Sequence, residues 1–550
     1  MTASRTPAPA PAQTPSRTAP ASDGALAGTG ALLRLALRRD RIRLSAWLLG
    51  ITVFVPYFHT VLGTVSPDQE ALEASAALMD NPMVRLFAGP YFGFDEVTLQ
   101  RSFLVYLPEF LLAAAVMSIL LVARHTRGEE QTGRAELVRA SVVGRHAPLT
   151  AALALAVGAN TVLGLLIAGA LAGLAFPASA ALLFGAAVAT TGLSFAGITA
   201  VTAQLVESSR AAAGLASIAL VAAWMLRALG AVQDEAGGWA IWLSPLGWPQ
   251  MTRILDNERW WPLVPAVALF AAGAATAHAL AERRDLDGGF LAPRVGRATA
   301  APWLRSPIAL AWRLQRRTIL WWSAAVFTAA LCYGGLGGAM VEGTVDLPEG
   351  VLGGSAQDVL AGYVSIMTVA MVFVVCFFAI VSVGAARRDE TAGRAVLVLT
   401  ASTGRLTWLG TSLLVTAASG IVLVALVGLG TGLGAAASVG DGSLLLLALG
   451  AALVRAPEVL LTAGAAAALL GWAPRLFGAA WALVVYGVCL RFFAPNLGWP
   501  DVLLATSPYN HVPRLPVEEF ALAPPVVLTV VAVALGVLGM WGLARRDLDG

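Results

Sequence analysis

The 550 residues contain no lysine: all 36 basic side chains apart from histidine are arginine. A P-loop needs a lysine to reach the phosphates of ATP, so the chain carries no such nucleotide site of its own. Charge is scarce altogether. Asp, Glu and Arg make up 13% of the chain, about half the share in an average soluble domain, while 58% of the residues are hydrophobic, an excess that must face lipid. The three cysteines, Cys332, Cys376 and Cys489, stand alone, with no second cysteine or histidine at metal-ligand spacing, which argues against a disulfide framework or a zinc site. Residues 1–30, rich in Ala, Pro, Thr and Ser, hold no apolar run that would make the core of a signal peptide and read as a disordered tail.

What is present is a series of long apolar runs. A bilayer core of about 30 Å takes about 20 apolar residues of helix, and twelve such spans are predicted at 45–65, 104–123, 147–171, 178–203, 211–229, 262–281, 317–339, 363–385, 407–436, 444–470, 478–494 and 525–543. Runs this long without alternation are helices, not barrel strands. The expected fold is therefore an all-α polytopic, multi-pass cell-membrane protein. Arginines set its orientation. Arg34, Arg38, Arg39, Arg41 and Arg43 precede span one, and Arg124, Arg127, Arg134, Arg139 and Arg145 follow span two, whereas the loop between spans one and two is acidic. The N-terminus is expected to be cytoplasmic, and twelve spans bring the C-terminus back to that side.

The chain repeats itself. RRDLDG occurs at 283–288 after span six and at 545–550 after span twelve. EEQTGRAELVRASVVGR (129–145), between spans two and three, matches DETAGRAVLVLTASTGR (389–405), between spans eight and nine. The match pairs Glu130 with Glu390, Gly133 with Gly393, Arg134 with Arg394, and Gly144-Arg145 with Gly404-Arg405. A weaker pair, SPLGWPQ at 244–250 and SPYNHVP at 507–513, follows spans five and eleven. Each pair holds the same place in its half, so the halves form a parallel repeat. The expected boundaries are a tail at 1–30, a first half at 31–289, a linker at 290–306 and a second half at 307–550.

The repeated 129–145 and 389–405 loops open with an acidic pair, which suits a helix N-terminus, and continue with apolar residues among polar ones. Each predicts a short amphipathic surface helix. A plain arginine-rich connector accounts for one such loop less well once the same residues recur in register.

With E-x-x-GR-A-x-LV and its copy, RRDLDGGFL after span six and GWAPRLFGAAWAL at 471–483, the chain from about residue 31 onward resembles type-2 permeases of ABC exporters. It is closest in kind to the fused, twelve-span exporters of polyketide antibiotics of the tetronasin-resistance sort. The resemblance implies connecting helices at 31–44 and 312–320 and outer re-entrant lids at 230–261 and 495–524. It also implies a path between the halves lined by spans one, two, four and five and their counterparts. Coupling helices at 129–145 and 389–405 would dock on ATPase subunits, with Glu129, Glu130, Gly133 and Arg134, and Asp389, Glu390, Gly393 and Arg394, transmitting nucleotide-driven closure. Two copies of a separate ABC ATPase would hold ATP and Mg. This chain would bind no cofactor or metal and would be no enzyme, exporting hydrophobic or amphipathic compounds such as antibiotics.

No stretch is long enough for an ATPase domain, the longest segment between spans on the arginine-rich side being about 282–316. The competing class is a proton-driven transporter of the major facilitator kind, also two parallel six-span halves, but its loop between spans two and three is short and is not led by an acidic pair. Within span ten, Arg455 and Glu458 lie three residues apart on one helical face beside Pro457. Span four has Thr190, Thr191 and Ser194 at that depth. Arg455, Glu458, Thr190 and Thr191 are candidates for a substrate pathway, against the alternative of a structural ion pair. Arrangements for nucleophilic or paired-carboxylate catalysis are lacking, and His59, His125, His146, His278 and His511 are scattered.

Overall fold

The computed structural model describes residues 22–77, 82–93, 95–133, 143–284, 289–290, 299–338, 356–401, 403–494 and 499–547. Among them are helices and no strand. Twelve helices are long and apolar enough to cross a membrane. They are Gly24–Val65, Leu99–Gln131, Ala147–Ala172, Ala178–Leu205, Ser209–Gln233, Trp261–Glu282, Pro307–Gly335, Leu360–Thr391, Arg405–Val439, Ser443–Trp472, Pro474–Phe493 and Ala523–Arg545, each containing or overlapping a predicted span. The protein is an all-α, multi-pass membrane protein.

By contact the chain forms two units, Met1–His59 with Ala88–Gly93 and Phe103–Arg294, and Thr60–Phe87 with Phe94–Ser102 and Val295–Gly550. The end of span one and most of the loop after it thus belong to the second unit, where Phe87 stacks on Tyr333 at 5.0 Å. Sequence alone assigns this loop to the half in which it is encoded.

In the first unit span four packs against spans two, three, five and six. Small residues permit this, since helices in lipid associate through close backbone approach. A Cβ on Gly185 would lie 2.2 Å from the Gly164 carbonyl oxygen of span three, so both positions need glycine. In the second unit span ten packs against spans eight, nine, eleven and twelve. Its Gly464 meets Ala532 of span twelve as Gly197 of span four meets Phe270 of span six.

Three expectations change. The connecting helices at 31–44 and 312–320 are not separate elements: they run unbroken into their spans as Thr29–Val65 and Pro307–Gly335. Neither 31–49 nor 308–333 contains Gly or Pro, and Ala, Leu and Arg are strong helix formers. The tail is shorter than 1–30, because Ser22–Leu26 forms a helical turn, and its Ala25 and the adjacent Ala27 accept hydrogen bonds from His146 and Gly144 at 3.0 and 2.9 Å. Span ten is broken into Ser443–Leu453 and Ala456–Trp472. Pro457 lacks an N–H and its ring crowds the carbonyl one turn back, which ends the first piece. Residues 291–298 of the linker and most of the 1–30 tail lie outside the described residues.

Candidate functional site

Glu129 and Glu130 do not begin the loop helix. They occupy the last turns of span two, and Asp389 and Glu390 those of span eight. The predicted N-terminal placement is therefore reversed: the acids stand at helix C-termini, where the macrodipole disfavours negative charge. Arginines compensate it. Glu130 accepts from Arg284 at 2.7 and 3.0 Å and from Arg127 at 2.6 Å. Glu390, 5% exposed, accepts from Arg546 at 2.7 Å, with a second contact at 2.6 Å. Arg284 and Arg546 are the second arginines of the two RRDLDG copies.

The same two motifs meet through the Gly-Arg pair. Arg145 donates to the carbonyl of Glu282 at the end of span six, and Arg405 to that of Arg546, beyond span twelve, at 2.7 Å. Two sequence repeats about 150 residues apart within each half are thus the two sides of one clamp, which binds the loop after the second span to the end of the sixth. Arg127 also donates to the carbonyl of Ala203, and Arg546 to that of Leu470, near the ends of spans four and ten.

Immediately past the clamp the chain turns. Gly133 and Gly393 take φ of 71° and 68°, left-handed values that favour glycine. Their N–H groups bond the carbonyls of Glu130 and Glu390, each at 2.9 Å. In the second unit a short helix follows, Arg394–Leu399, with Val396 46% and Leu397 75% exposed. Its counterpart falls at 134–142, outside the described residues, and Arg134 with it.

The outer acids differ between halves. Glu129 binds Arg39 of span one at 2.6 Å, whereas Asp389 binds Arg394 of its own loop at 2.7 Å. Asp40, one residue on in span one and 2% exposed, is held by Arg124 at 2.9 Å and His125 at 2.7 Å.

Deeper in the spans lie buried charges. Arg455 Nη2 touches Glu458 Oε1 at 2.7 Å, with side chains 2% and 0% exposed. The pair is in contact but poorly angled, leaving Arg455 Nε and Nη1 and both Glu458 oxygens without a hydrogen bond. Tyr509, from the Ser-Pro segment after span eleven, is fully buried here: its carbonyl lies 3.4 Å from Arg455 Nη2 and its hydroxyl 3.0 Å from that of Thr462. Burial, with Cys376 beside it, raises the Tyr509 phenol above its ordinary value, so it stays a neutral hydrogen-bonding partner.

Thr191 lies six residues before Gly197 as Glu458 lies six before Gly464, which makes Thr191 the counterpart of Glu458. Thr190 and Thr191 donate to the carbonyls of Ala186 and Ala187 one turn back, and Ser194 to Thr190 and to Ala266 of span six.

The first unit has charges of its own within its spans, one buried (Arg227) and one exposed (Glu109), that the same test of charge within a span would have found. Arg227 of span five is 0% exposed, stacks over Trp224 at 4.1 Å and reaches Gln250 of the other Ser-Pro segment at 3.5 Å. Glu109 of span two lies in the electrostatic reach of Arg227, and Tyr91 joins them. Burial first and Glu109 second push the Tyr91 phenol well up. Of the expected lids, residues 230–233 still belong to span five; 234–260 and 499–522 form short helical turns and loops between spans, and 495–498 lie outside the described residues.

A family described as "Multidrug efflux system permease Rv1217c, C-terminal domain" matches residues 30–281 and 304–543, segments that hold six spans each. The chain belongs to this family. Among its relatives, the "Multidrug efflux system permease protein Rv1217c" of Mycobacterium tuberculosis (strain ATCC 25618 / H37Rv) is 34% identical over 545 residues, covering 96% of this chain and 97% of the relative. The multidrug efflux permease family thus extends over both halves, the loops at 129–145 and 389–405 included.

Proposed function

We propose that the protein is the membrane permease of an ATP-driven exporter of hydrophobic or amphipathic compounds, polyketide antibiotics among them. Two copies of a separate ATPase would dock on its two clamped loops and carry the ATP and Mg. The observation that carries this reading is the duplicated clamp. A carboxylate and an arginine join each loop to its sixth span, and beyond Gly393 an apolar surface of Val396 and Leu397 stands exposed outside the spans. A loop that only connected two helices would need neither the clamp nor the apolar surface. The absence of lysine supports placing the motor on another chain, and membership of a multidrug efflux permease family supports the class of cargo.

In this reading the loops lie on the cytoplasmic side. Glu130 and Glu390 pass ATPase movement to spans six and twelve, Glu129 and Asp389 with Arg394 shape the docking surface, and Gly133 and Gly393 set the turn. Arg134 takes the place of Arg394 in the first half.

The test is to express the full chain with the ATPase encoded beside it, purify the pair, and measure drug-stimulated ATP hydrolysis and vesicle transport. A stable complex with two ATPase copies is expected, and Leu397→Asp should weaken it while leaving the permease folded. Transport that runs on an imposed proton gradient without ATP would overturn the proposal.

A further inference from the structure

Span two opens its apolar run with an acid. Glu109 follows Pro108 in the first turn of the segment Leu107–Ala123. It faces a cavity of about 380 Å³ between spans one and two, walled by Trp47, Gly50, Phe54, Phe58 and Phe110. Pockets for drug-sized molecules run from about 300 to 1,000 Å³. The helix of span one continues past Phe58 to Val65, about 10 Å further at 1.5 Å per residue, so the carboxylate stands beside the membrane-spanning part of span one and not at its end.

Glu109 is exposed and makes no ion pair or side-chain hydrogen bond with a described residue. Arg227 acts on it through space, but that guanidinium is already committed to Trp224 and Gln250. A carboxylate without an ion partner at this level is costly, and what would compensate it is a positive charge arriving with a ligand. The walls fit the rest of such a ligand. Phe58 stacks on Tyr106 at 4.3 Å, lies 5.5 Å from Phe54 and meets Phe110 edge-on at 6.2 Å. Aromatic faces attract cations as well as apolar rings.

We propose that this cavity binds lipophilic organic cations, the positive centre against Glu109 and aryl groups against Phe54, Phe58 and Phe110. As a class of exported cargo this rests on the exporter reading above; as a binding site it does not. The cavity and its carboxylate lie within the first unit, so binding needs no ATPase.

The experiment is equilibrium binding of radiolabelled tetraphenylphosphonium to the full chain in lipid nanodiscs, without an ATPase. Saturable binding is expected, with the uncharged analogue tetraphenylsilane failing to compete. Glu109→Gln should weaken binding at least about tenfold and Glu109→Asp should recover part of it, a size consistent with a desolvated charge contact. Gly50→Leu should weaken it similarly with the charge intact, because a side chain at Gly50 enters space with nothing within 4 Å. The proposal is overturned by an absence of saturable binding to the wild type, or by Gly50→Leu and Glu109→Gln binding within about twofold of it. If Glu109→Gln fails to fold, Gly50→Leu and the silane competition decide. Glu109-dependent binding without ATP-driven export would sink the exporter reading alone.

Discussion

The clamp makes a quantitative prediction because its two copies differ. Glu390, with its side chain 4% exposed, is held among the described residues by Arg546 alone, while Glu130 has both Arg284 and Arg127. Removing one member of a buried ion pair costs about 3–5 kcal/mol, most of it from the charge left without a partner. Arg546→Met should therefore destabilise the attachment of residues 389–401 by about 3 kcal/mol or more, a rise of about 150-fold in local opening. Arg284→Met leaves Arg127 in place and should raise opening near Glu130 by about tenfold only. Hydrogen exchange of the full chain in nanodiscs reads both segments in one sample. A double-mutant cycle of Arg546→Met with Glu390→Gln isolates the pair, since the double variant leaves no buried charge unpaired. A coupling energy below about 0.5 kcal/mol, or an Arg284→Met effect as large as that of Arg546→Met, would refute the reasoning.

Other expectations follow from the same contacts. Gly393→Val should cost about 1–2 kcal/mol through its left-handed backbone and Gly393→Asn distinctly less, measured as thermal stability in detergent; equal losses would point to crowding, although nothing lies within 4 Å of that position. Glu458→Leu should destabilise strongly by leaving Arg455 unpaired, and Arg455→Met with Glu458→Leu should recover much of the loss; a double variant as unstable as the single one would mean that the pair serves more than packing. Glu458→Gln should leave transport by reconstituted vesicles insensitive to an imposed proton gradient, and a gradient-dependent rate lost in that variant would instead mark Glu458 as a proton carrier.

Much of the architecture was legible in the sequence because lipid imposes one strong rule, a run of about 20 apolar residues per crossing. All twelve predicted spans coincide with helices, and the order of the repeated motifs was visible without coordinates. Local pattern does not carry contact. Nothing in RRDLDG or in the loop motif says that Arg284 reaches Glu130, because that bond joins residues 154 positions apart. The acidic pairs suggested a helix start, and tertiary arginines overrode the dipole preference by holding them at helix ends. The sequence likewise offers no sign that the loop after span one packs with the second unit. Glu109 and Arg227, in contrast, stood in plain view within predicted spans and answer to the same rule as Arg455 and Glu458.

The unequal outer acids make the two loops different mechanical parts. In the first unit a load applied beyond Gly133 reaches the sixth span through Glu130 and the first span through Glu129 and Arg39. In the second, Asp389 is tied to Arg394 on the same loop, so the load arriving through Glu390 is handed to the twelfth span while this acid passes none to the seventh. An identical load applied at both loops would therefore pass through the outer acid to the first helix of one half, while the matching acid of the other half returns it to its own loop.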